Sequence, residues 1–349
     1  MPKRITIKDI AHETGVSVTT VAKALNNQNR ISDETRQMIL QTAKQMGYTP
    51  NRSARAMACR EMTLAVIYPA APGEFISYIE RGFQRGAEEL ADFRVDMKLM
   101  RYSDLRASGQ INDYLRQLAV SPKKVHGLVF FAGRYEEQYQ DRLRHIIELG
   151  IPVLHLVTEC GLPEALGIIR LHAEVAGAMA AQFLQMTVPA GRPAAILVGD
   201  KDLKVHSRCI DGFMRQAGLM KLPAVGVYET HDDKETAYRL TGRLIAEHPD
   251  LGGIYVSSYN SVGVCEWFED HQQQGIKIIG HDLYPALVQK LEAGALSATL
   301  FQNQYEFGRL SLHYLYQYLT GSRKREDCTK LMKPQLVMQS NLACYRDSF

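Results

Sequence analysis

The chain has 349 residues, of which 46% are hydrophobic and 23% charged, and its formal net charge at pH 7 is +3. These proportions are typical of a soluble globular protein and exclude a collagen-like or low-complexity chain, while the length predicts two or three domains. The first sixty residues carry ten Lys/Arg and four Asp/Glu, a net charge of +6, whereas the remaining residues have a net charge of −3. A basic head on a slightly acidic body predicts that the head binds a polyanion.

The cysteines and the N-terminus bear on the compartment. The start Met-Pro-Lys-Arg-Ile-Thr has no apolar signal core, and no apolar run approaches the length of a membrane span. We therefore expect a cytoplasmic protein without a membrane segment, with reduced thiols and with neither a metal site nor a cofactor. The six cysteines form no CxxC pair and no metal-ligand spacing: Cys59, Cys160, Cys209, Cys265, Cys328 and Cys344.

The first elements are two short helices joined by a tight turn. Thr6 is suited to cap the first helix, and Asp9, three residues later, completes a capping box. Gly15 suits the left-handed position that ends this helix, and Ser17 is a good cap for the second. Apolar residues then recur at helical spacing, and we expect these to face the core: Ile7, Ile10 and Ala11 in the first helix, Val21, Ala22 and Leu25 in the second.

The outer side of the second helix carries small polar and basic residues. Two helices around a turn that contains glycine, with this kind of outer surface, form the helix-turn-helix pattern of DNA-binding proteins. An ordinary αα-hairpin that packs on a core is the alternative. The outward residues are Val18, Thr19, Thr20 and Lys23.

A third helix and a linker follow. Ser32 is suited to cap the third helix, whose first turn holds Asp33 and Glu34, and Gly47 is suited to end it. We therefore predict an all-α headpiece at 1–49. Within the linker at 50–61, Ser53–Ala58 favours a helix of only two turns, which is marginal in water unless it docks on something. Such a segment can serve as a switch that folds on binding.

From Thr63 onward, apolar runs alternate with amphipathic helical stretches. This βα alternation predicts doubly wound parallel sheets, and it starts a second round after 160–163. The body is thus expected to have two similar lobes, with a small ligand between them at the carboxyl ends of the strands. The predicted strands are 64–68, 95–100, 125–131, 153–157, 194–198, 225–229, 253–256, 276–280 and 336–338.

Head, linker and body together resemble the lactose/galactose repressor (LacI/GalR) family of bacterial transcription regulators. The most specific part is Thr6–Asn26 followed by Asn51-Arg-Ser-Ala-Arg-Ala-Met57, and two stretches, Gly280-His-Asp-Leu-Tyr284 and Thr299-Leu-Phe-Gln302, are similar to the family's downstream cleft motifs. The resemblance implies a periplasmic-binding-protein-like body at 62–349. Its first lobe would comprise about 62–159 and 303–331, and its second about 160–302 and 332–349. It also implies a repressor whose affinity for operator DNA is controlled by a small ligand.

The resemblance also implies DNA contacts. Val18, Thr19 and Lys23 match positions that meet base edges, where Lys23 can donate to guanine and Val18 can only make apolar contact. Met57 replaces the leucine that each of two hinge helices inserts into the minor groove, and Asn51 and Ala54 flank it. Two such helices imply a homodimer on a pseudo-palindromic site. Positions that match phosphate or other DNA contacts are Thr6, Ser17, Asn26, Arg30, Ser32, Thr35 and Tyr48.

In the body the implied ligand contacts are less regular. The family's ligand-gripping arginine would stand at position 209, where this chain has Cys209; Arg208 either replaces it or is a surface arginine. A cleft with carboxylate, amide and aromatic groups suits a sugar or sugar derivative more than a purine. The remaining candidates are Asp282 and Gln302, Phe75 for stacking, Asn260 or Ser258 as a donor, and Thr158 or Glu159 where the lobes cross.

An enzyme on the same lobes is the rival hypothesis. The sequence contains no GxGxxG after the first strand, no Walker A motif and no Gly-x-Ser-x-Gly elbow. His206 and Asp211 are five residues apart, off the spacing that brings helical side chains face to face. We therefore expect no catalysis. The tail, 321–349, has no leucine heptad for tetramers, which favours a dimer. Whether the ligand induces or co-represses stays open.

Overall fold

The computed structural model describes residues 5–25, 31–46, 61–70, 73–103, 107–133 and 138–348. Three helices form the head: α1 (Ile7–Thr14), α2 (Val18–Leu25) and α3 (Asp33–Gln45). Their buried side chains make one small core of six residues, so all three helices depend on each other. These residues are Ile10, Ala11, Val21, Ala24, Ile39 and Ala43.

The predicted N-caps of the head and the predicted end of α1 are confirmed, while Gly47, predicted to end α3, lies outside the described residues. The Thr6 amide donates to Asp9 Oδ2 at 2.7 Å and the Asp9 amide donates to Thr6 Oγ1 at 3.4 Å, so both halves of the capping box are present. Gly15 has φ 69°, the left-handed conformation that glycine adopts without a steric penalty. Ser17 and Ser32 accept from the amides of Thr20 and Thr35 at 3.1 and 3.3 Å. One assignment differs: Ala24, and not Ala22, is buried with Val21 in the core of α2, while Leu25 is partly buried and packs against this core as predicted.

The first lobe is a six-stranded sheet in the order β11-β5-β4-β3-β1-β2, and every neighbouring pair is parallel. Helices α4 (Gly73–Ala91), α5 (Ser108–Val120), α6 (Gln138–Glu148) and α12 (Gln304–Leu319) belong with it. The central strands are buried along their whole length, which is why they read as continuous apolar runs in the sequence. The strands are β1 (Met62–Pro69), β2 (Val95–Tyr102), β3 (Gly127–Phe130), β4 (Val153–Leu156), β5 (Gly167–Leu171) and β11 (Lys330–Met332).

The second lobe repeats this architecture in the order β12-β10-β9-β8-β6-β7, where only the β10–β12 pair is antiparallel. Its helices are α7 (Ala173–Thr187), α8 (Lys204–Met220), α9 (Lys234–Glu247), α10 (Ser261–Asp270) and α11 (Pro285–Glu292). The predicted doubly wound, two-lobed α/β body is therefore confirmed. The strands are β6 (Ala194–Val198), β7 (Ala224–Glu229), β8 (Gly253–Val256), β9 (Lys277–His281), β10 (Ala298–Phe301) and β12 (Gln335–Val337).

Glycines let one helix pair in this lobe pack backbone to backbone. A Cβ atom at Gly177 of α7 would overlap the carbonyl oxygen of Cys209, and one at Gly212 of α8 would overlap the carbonyl oxygen of Glu174. Because no side chain fits between them, α7 and α8 lie in a fixed rotation about their axes. This contact decides which residues of α8 face the interior: Cys209 and Phe213 are buried, whereas Arg208 is only partly buried.

The predicted lobe boundary at 159/160 is wrong. Residues 167–171 form β5, which pairs in parallel with β4 of the first lobe, so the chain crosses to the second lobe only at His172. The second predicted boundary moves by one residue, because Met332 pairs with Leu171 in the first lobe. The third crossing lies between β10 and α12, close to the predicted position. Among the described residues, no helix is long and apolar enough to cross a membrane, and no metal-binding cluster of His, Cys, Asp or Glu occurs.

Candidate DNA-binding surface and ligand cleft

The outer surface of α2 is small and largely uncharged. Ser17, Val18 and Thr19 are exposed, Val18 to 44%, and Lys23 is half-buried with its side chain in the last turn of α2. Thr6 and Ser32 are also exposed, although their side chains accept backbone hydrogen bonds as caps. A cap oxygen retains lone pairs, and its hydroxyl rotates, so capping and a phosphate contact are compatible. Thr35 is half-buried and its hydroxyl lies 2.7 Å from Ser32 Oγ.

Six predicted DNA contacts lie outside the described residues, and so does most of the predicted hinge at 50–61. Their roles remain predictions from the sequence. These residues are Asn26, Arg30, Tyr48, Asn51, Ala54 and Met57.

The body has a cleft between its lobes, with about 690 Å³ of empty space when its open mouth is included. It lies at the carboxyl ends of strands from both sheets, as predicted, because the residues that follow β3, β4, β8, β9 and β10 reach it. The first lobe contributes Phe75, Phe131, Gly133, Val157, Thr158 and Leu171. The second lobe contributes Leu203, Val205, His206, Cys209, Asp232, Ser257, Ser258, Tyr259, His281, Asp282 and Gln302.

Asp282 is held in place on several sides. Its amide donates to the Leu300 carbonyl at 3.0 Å, and its own carbonyl accepts from Thr299 Oγ1 at 2.7 Å, so β10 fixes its backbone. Its carboxylate accepts from Gln302 Nε2 at 2.6 Å and from Gln304 Nε2. The side chain is buried, with 4% of the residue exposed, yet it lines the cleft. The structure thus joins Asp282 and Gln302, two of the predicted ligand contacts.

The protonation of Asp282 depends on its surroundings. Burial raises the pKa of this carboxyl to about 7, the Gln302 hydrogen bond opposes the rise, and the nearby Asp232 carboxylate adds to it. Near neutral pH, small changes of environment therefore change the charge of Asp282. A ligand group that approaches it alters this balance.

A second acidic group, Asp232, lies in the loop between β7 and α9. Burial raises the pKa of Asp232; the imidazoles of His206 and His231 lower it, while Asp200 raises it. The His206 ring is held by the β6–α8 loop, since its Nδ1 lies 3.1 Å from the Asp200 amide and 2.9 Å from the Asp200 carbonyl. Asp232, His206 and Asp282 thus line one part of the cleft on three different loops or helices.

Beside Asp282 lies a buried aromatic cluster. Tyr255 stacks on Phe213 with ring centroids 5.4 Å apart, and its hydroxyl lies 2.7 Å from His281 Nε2. Burial lowers the pKa of His281 to about 3, so this imidazole is neutral at pH 7. Burial raises the pKa of the Cys209 thiol to about 12, so that residue is a neutral thiol. The cluster gives the second-lobe wall a rigid support.

Two predicted ligand contacts, Arg208 and Glu159, lie outside the cleft lining. Arg208 donates through Nη2 to Glu159, and its Nε lies 3.3 Å from Glu174 Oε1. Cys209 faces α7 and Tyr255. Arg208, the residue before it, therefore points away from this interior, towards the segment of the first lobe that contains Glu159. Arg208 therefore bridges the two lobes and does not line the cleft in this structure.

Of the two alternatives, Ser258 lines the cleft and Asn260, just before α10, does not. Asn260 is buried and donates through Nδ2 to Thr230 Oγ1 at 3.3 Å, so it ties two loops together behind the cleft. Ser257 and Ser258 line the cleft instead, and their hydroxyls have no hydrogen-bond partner among the described residues. Thr158 lines the cleft where Glu159 does not, and Phe75 lines it as predicted.

Several cleft residues did not emerge from the sequence. His206 was examined only as half of a catalytic pair, and Asp232 and His281 were not considered. His281 is the last residue of β9. Because ligands bind at the carboxyl ends of strands in a doubly wound sheet, this position could have identified His281 as a candidate. Asp232 had no such signal, because it lies three residues beyond β7 and reaches the cleft only through its loop.

Left-handed backbone conformations surround the cleft. Val157 has φ 63°, which is rare for a β-branched residue, and Asp282 has φ 72°. His231 and Asp232, with φ 53° and 55°, form a third such point. Residues in this region cost free energy and persist only where the surrounding structure enforces them, often at ligand sites. Among the described residues, three of the eight non-glycine residues with positive φ, namely Val157, Asp232 and Asp282, thus line the cleft themselves.

Comparison with known proteins matches both parts of the chain. A model of the periplasmic binding protein domain matches residues 64–323, and a model of bacterial regulatory proteins of the lacI family matches residues 6–51. The HTH-type transcriptional regulator DegA of Bacillus subtilis is 26% identical over 279 residues, 79% of each chain. Catabolite control protein A of Priestia megaterium is 23% identical over 324 residues, 90% of this chain and 92% of that protein.

Among solved structures, GanP, a glucose-galactose binding protein from Geobacillus stearothermophilus, superposes with a TM-score of 0.72 at 21% identity. The match covers 81% of this chain and 99% of that chain. At this identity the likeness shows the fold.

Proposed function

The chain belongs to the lacI family of bacterial regulatory proteins, and we propose that it is a transcriptional repressor whose operator affinity is set by a small ligand. One observation carries this proposal. A single chain joins a helix-turn-helix head to a two-lobed body whose cleft is lined by buried polar side chains. The first part supplies DNA binding and the second supplies a ligand-dependent change of shape.

In this proposal α2 enters the major groove. Thr19 and Lys23 discriminate bases, and Val18 contributes apolar contact. Thr6, Ser17, Ser32 and Thr35 contact phosphates and fix the register, as do Asn26, Arg30 and Tyr48. Two hinge segments insert Met57 into the minor groove beside Asn51 and Ala54, so the active form is a homodimer on a pseudo-palindromic operator. The protein acts in the cytoplasm, where its DNA is.

The ligand in this proposal is a sugar or sugar derivative. Ser257 and Ser258 present buried hydroxyls without a partner among the described residues, and Asp282 and Gln302 add a carboxylate and an amide. Hydroxyl groups of a sugar satisfy such donors and acceptors in pairs, and Phe75 or Phe131 offers an apolar ring to the sugar's face. GanP, of the same fold, is a glucose-galactose binding protein.

Ligand binding acts on DNA through the pose of the lobes. A ligand that contacts both walls favours the closed arrangement by the difference in its affinity for the two states. Closure moves the first lobe, from which the hinge at 50–61 leads to the head. The Glu159–Arg208 bridge joins the crossover of the first lobe to α8 of the second, so it is one of the contacts that closure alters.

We propose no catalysis for this cleft. The Cys209 thiol is buried and its pKa is raised to about 12, so it supplies little thiolate as a nucleophile. Among the described lining residues, Ser257 and Ser258 have no hydrogen-bonded base. A ligand recovered chemically unchanged after incubation with the protein supports this; conversion of it contradicts this.

Operator binding tests the proposal. DNA sequences bound by the full chain are first selected from a random pool, and the affinity for the best one is then measured by gel shift with and without candidate sugars. A ligand that weakens binding is an inducer, and one that strengthens it is a corepressor. Affinity should also fall steeply with salt concentration, because cationic side chains release counterions from the phosphates. The absence of DNA binding under every condition would contradict the proposal.

A further inference from the structure

The charge of the cleft narrows the class of ligand. Two carboxylates, Asp232 and Asp282, line it, and the described lining residues include no lysine and no arginine. Asp232 and Asp282 are close enough that the Asp232 charge raises the pKa of Asp282. Two like charges in a buried site repel each other and lose hydration, so a positively charged partner between them is favoured.

Both carboxylates are fixed before a ligand arrives. Asp282 is held by Gln302 and Gln304 and by the β10 backbone. Asp232 rests against Gly199, where any Cβ atom would overlap its carboxyl group, and its own φ is 55°. No described residue donates a hydrogen bond to the Asp232 carboxylate. Its oxygen atoms can therefore accept hydrogen bonds from a ligand.

The cationic groups of the surroundings offset the charge of this pair only in part, through His206 and His231 beside Asp232. Arg208 is held outside the lining by Glu159 and Glu174. His281 is buried and neutral beside Tyr255. His206 faces Asp232, but its Nδ1 is engaged with the Asp200 backbone, and Asp200 adds another negative charge nearby.

We propose that the ligand is a small polyhydroxylated amine, such as an amino sugar, whose ammonium group lies between Asp232 and Asp282. This inference rests on the proposed function and specifies its ligand. An ammonium is a compact charge with three donors, which matches two carboxylates that approach from separate loops. The ligand's hydroxyls bind Ser257 and Ser258, which are 3% and 5% exposed and have no partner among the described residues.

The proposal predicts proton release on binding. A cation beside a carboxylate lowers its pKa, and the pKa of Asp282 in the empty cleft is about 7. Near pH 7 part of the Asp282 population is therefore protonated and loses its proton when the ammonium binds. The ligand amine must itself be protonated to bind as an ammonium. At pH values below the pKa of that amine, from about 5 to 6.5, the affinity should therefore rise with pH, by at most about tenfold for each pH unit and each carboxyl that loses a proton. His206, His231 and Asp200 also face Asp232, so the proton release on binding is measured directly.

Isothermal titration calorimetry of the full-length protein tests this. The probes are D-glucosamine, D-galactosamine, D-mannosamine and D-glucamine, each paired with its neutral parent D-glucose, D-galactose, D-mannose or D-glucitol. At least one amine should bind at least about tenfold more tightly than its parent, a difference of about 1.4 kcal/mol. Titrations at about pH 6, where the amine is already charged before it binds, in buffers of different ionisation enthalpy should show proton release with that amine. Equal or tighter binding of the parents, binding of no amine, or proton uptake at this pH would overturn the inference.

Asp232→Asn gives a matched variant. Asn tolerates the left-handed conformation of this position, so the fold should persist, and the thermal midpoint checks it. The variant should reduce the preference for the amine over its parent at least about fivefold. Asp250→Asn, at an exposed position, should leave the preference unchanged. An unchanged preference in Asp232→Asn overturns the inference. If instead a neutral parent binds and shifts operator affinity, the repressor function stands while this inference fails.

Discussion

The two walls of the cleft differ in chemistry although the two lobes share one architecture. Of the six residues that the first lobe contributes, Thr158 alone has a polar side chain, whereas the second-lobe wall includes two carboxylates, two imidazoles, two serine hydroxyls and an amide. The second-lobe groups are also better anchored, through the Asp282–Gln302 hydrogen bond and the Tyr255–His281 contact.

This difference suggests a division of labour. Polar groups that are fixed in advance lose little entropy on binding and discriminate strongly between ligands, because an unmatched buried group is costly. Apolar side chains tolerate many ligands and mainly exclude water. We infer that the second lobe selects the ligand and that the first lobe closes over it. The following substitutions test each wall, from the largest expected effect to the smallest.

Asp282→Asn should weaken ligand binding at least about tenfold, because a charged hydrogen bond in a buried site contributes about 1.5–3 kcal/mol. The full chain's affinity for the ligand, measured by calorimetry, is the readout, and its operator affinity without ligand should be retained. Asp250→Asn, exposed on the same lobe, is the control and should bind like the wild type. An Asp282→Asn protein that binds normally would remove Asp282 from recognition.

The same substitution should change the pH dependence of stability. The pKa of Asp282 in the folded protein, about 7, lies above the ordinary value of 3.8. Between those values the folded state binds more protons than the unfolded state, so stability falls as pH rises, by up to about 1.4 kcal/mol per pH unit. Asn carries no charge, so Asp282→Asn should match the wild type near pH 4 and have the higher thermal midpoint at pH 8. If the thermal midpoints of the two proteins changed in parallel with pH, the pKa of Asp282 would not be raised in the folded protein.

Phe75→Ala tests the apolar wall. Loss of one partly buried aromatic contact should weaken ligand binding about fivefold, corresponding to about 1 kcal/mol. Selectivity between related sugars should be unchanged, since Phe75 provides no polar contact to distinguish hydroxyl positions. Val120→Ala, at a residue of the same lobe that is 83% exposed, should have no effect. A change of selectivity in Phe75→Ala would contradict the division between the walls.

Arg208→Met should have the smallest effect on ligand affinity, less than about threefold, because Arg208 lies outside the lining. Its loss leaves Glu159 and Glu174 without their shared partner, so the effect should appear in the coupling between ligand and DNA affinity. Calorimetry and operator titration separate the two. A loss of ligand affinity above about tenfold would show that Arg208 reaches into the cleft when ligand binds.

Much of the architecture could be predicted because it rests on local patterns. The caps of the head follow from Thr6, Asp9 and Ser32, and the buried strands from their apolar runs. β5 was missed because it is short and contains Arg170. The strand tolerates this arginine because its guanidinium lies 3.6 Å from the Glu174 carboxylate. Helix α12 was not predicted either.

The site was harder to predict because it depends on rotation and on loops. Sequence spacing alone does not show whether residue 208 or residue 209 faces the interior. The close contact at Gly177 and Gly212 sets the rotation of α8 and thereby decides this. Asp232 enters through a loop with two successive left-handed residues, which no periodicity indicates. Asp282 and Gln302 line the cleft as expected, and this expectation came from the resemblance of 280–284 and 299–302 to the family's cleft motifs, because the strand before Gln302 was not predicted.

The account's central claim is that the second-lobe wall controls DNA binding through the ligand. The most direct measurement is the coupling factor, obtained from operator affinity with and without ligand and from ligand affinity with and without operator, for wild type and Asp282→Asn. Linkage requires the two wild-type factors to be equal, and we expect each to be about tenfold or more. In Asp282→Asn, operator affinity should respond less to the ligand than in the wild type at a concentration that just saturates the wild type. An equal response in both proteins at that concentration, or a wild-type factor of one, would contradict the claim.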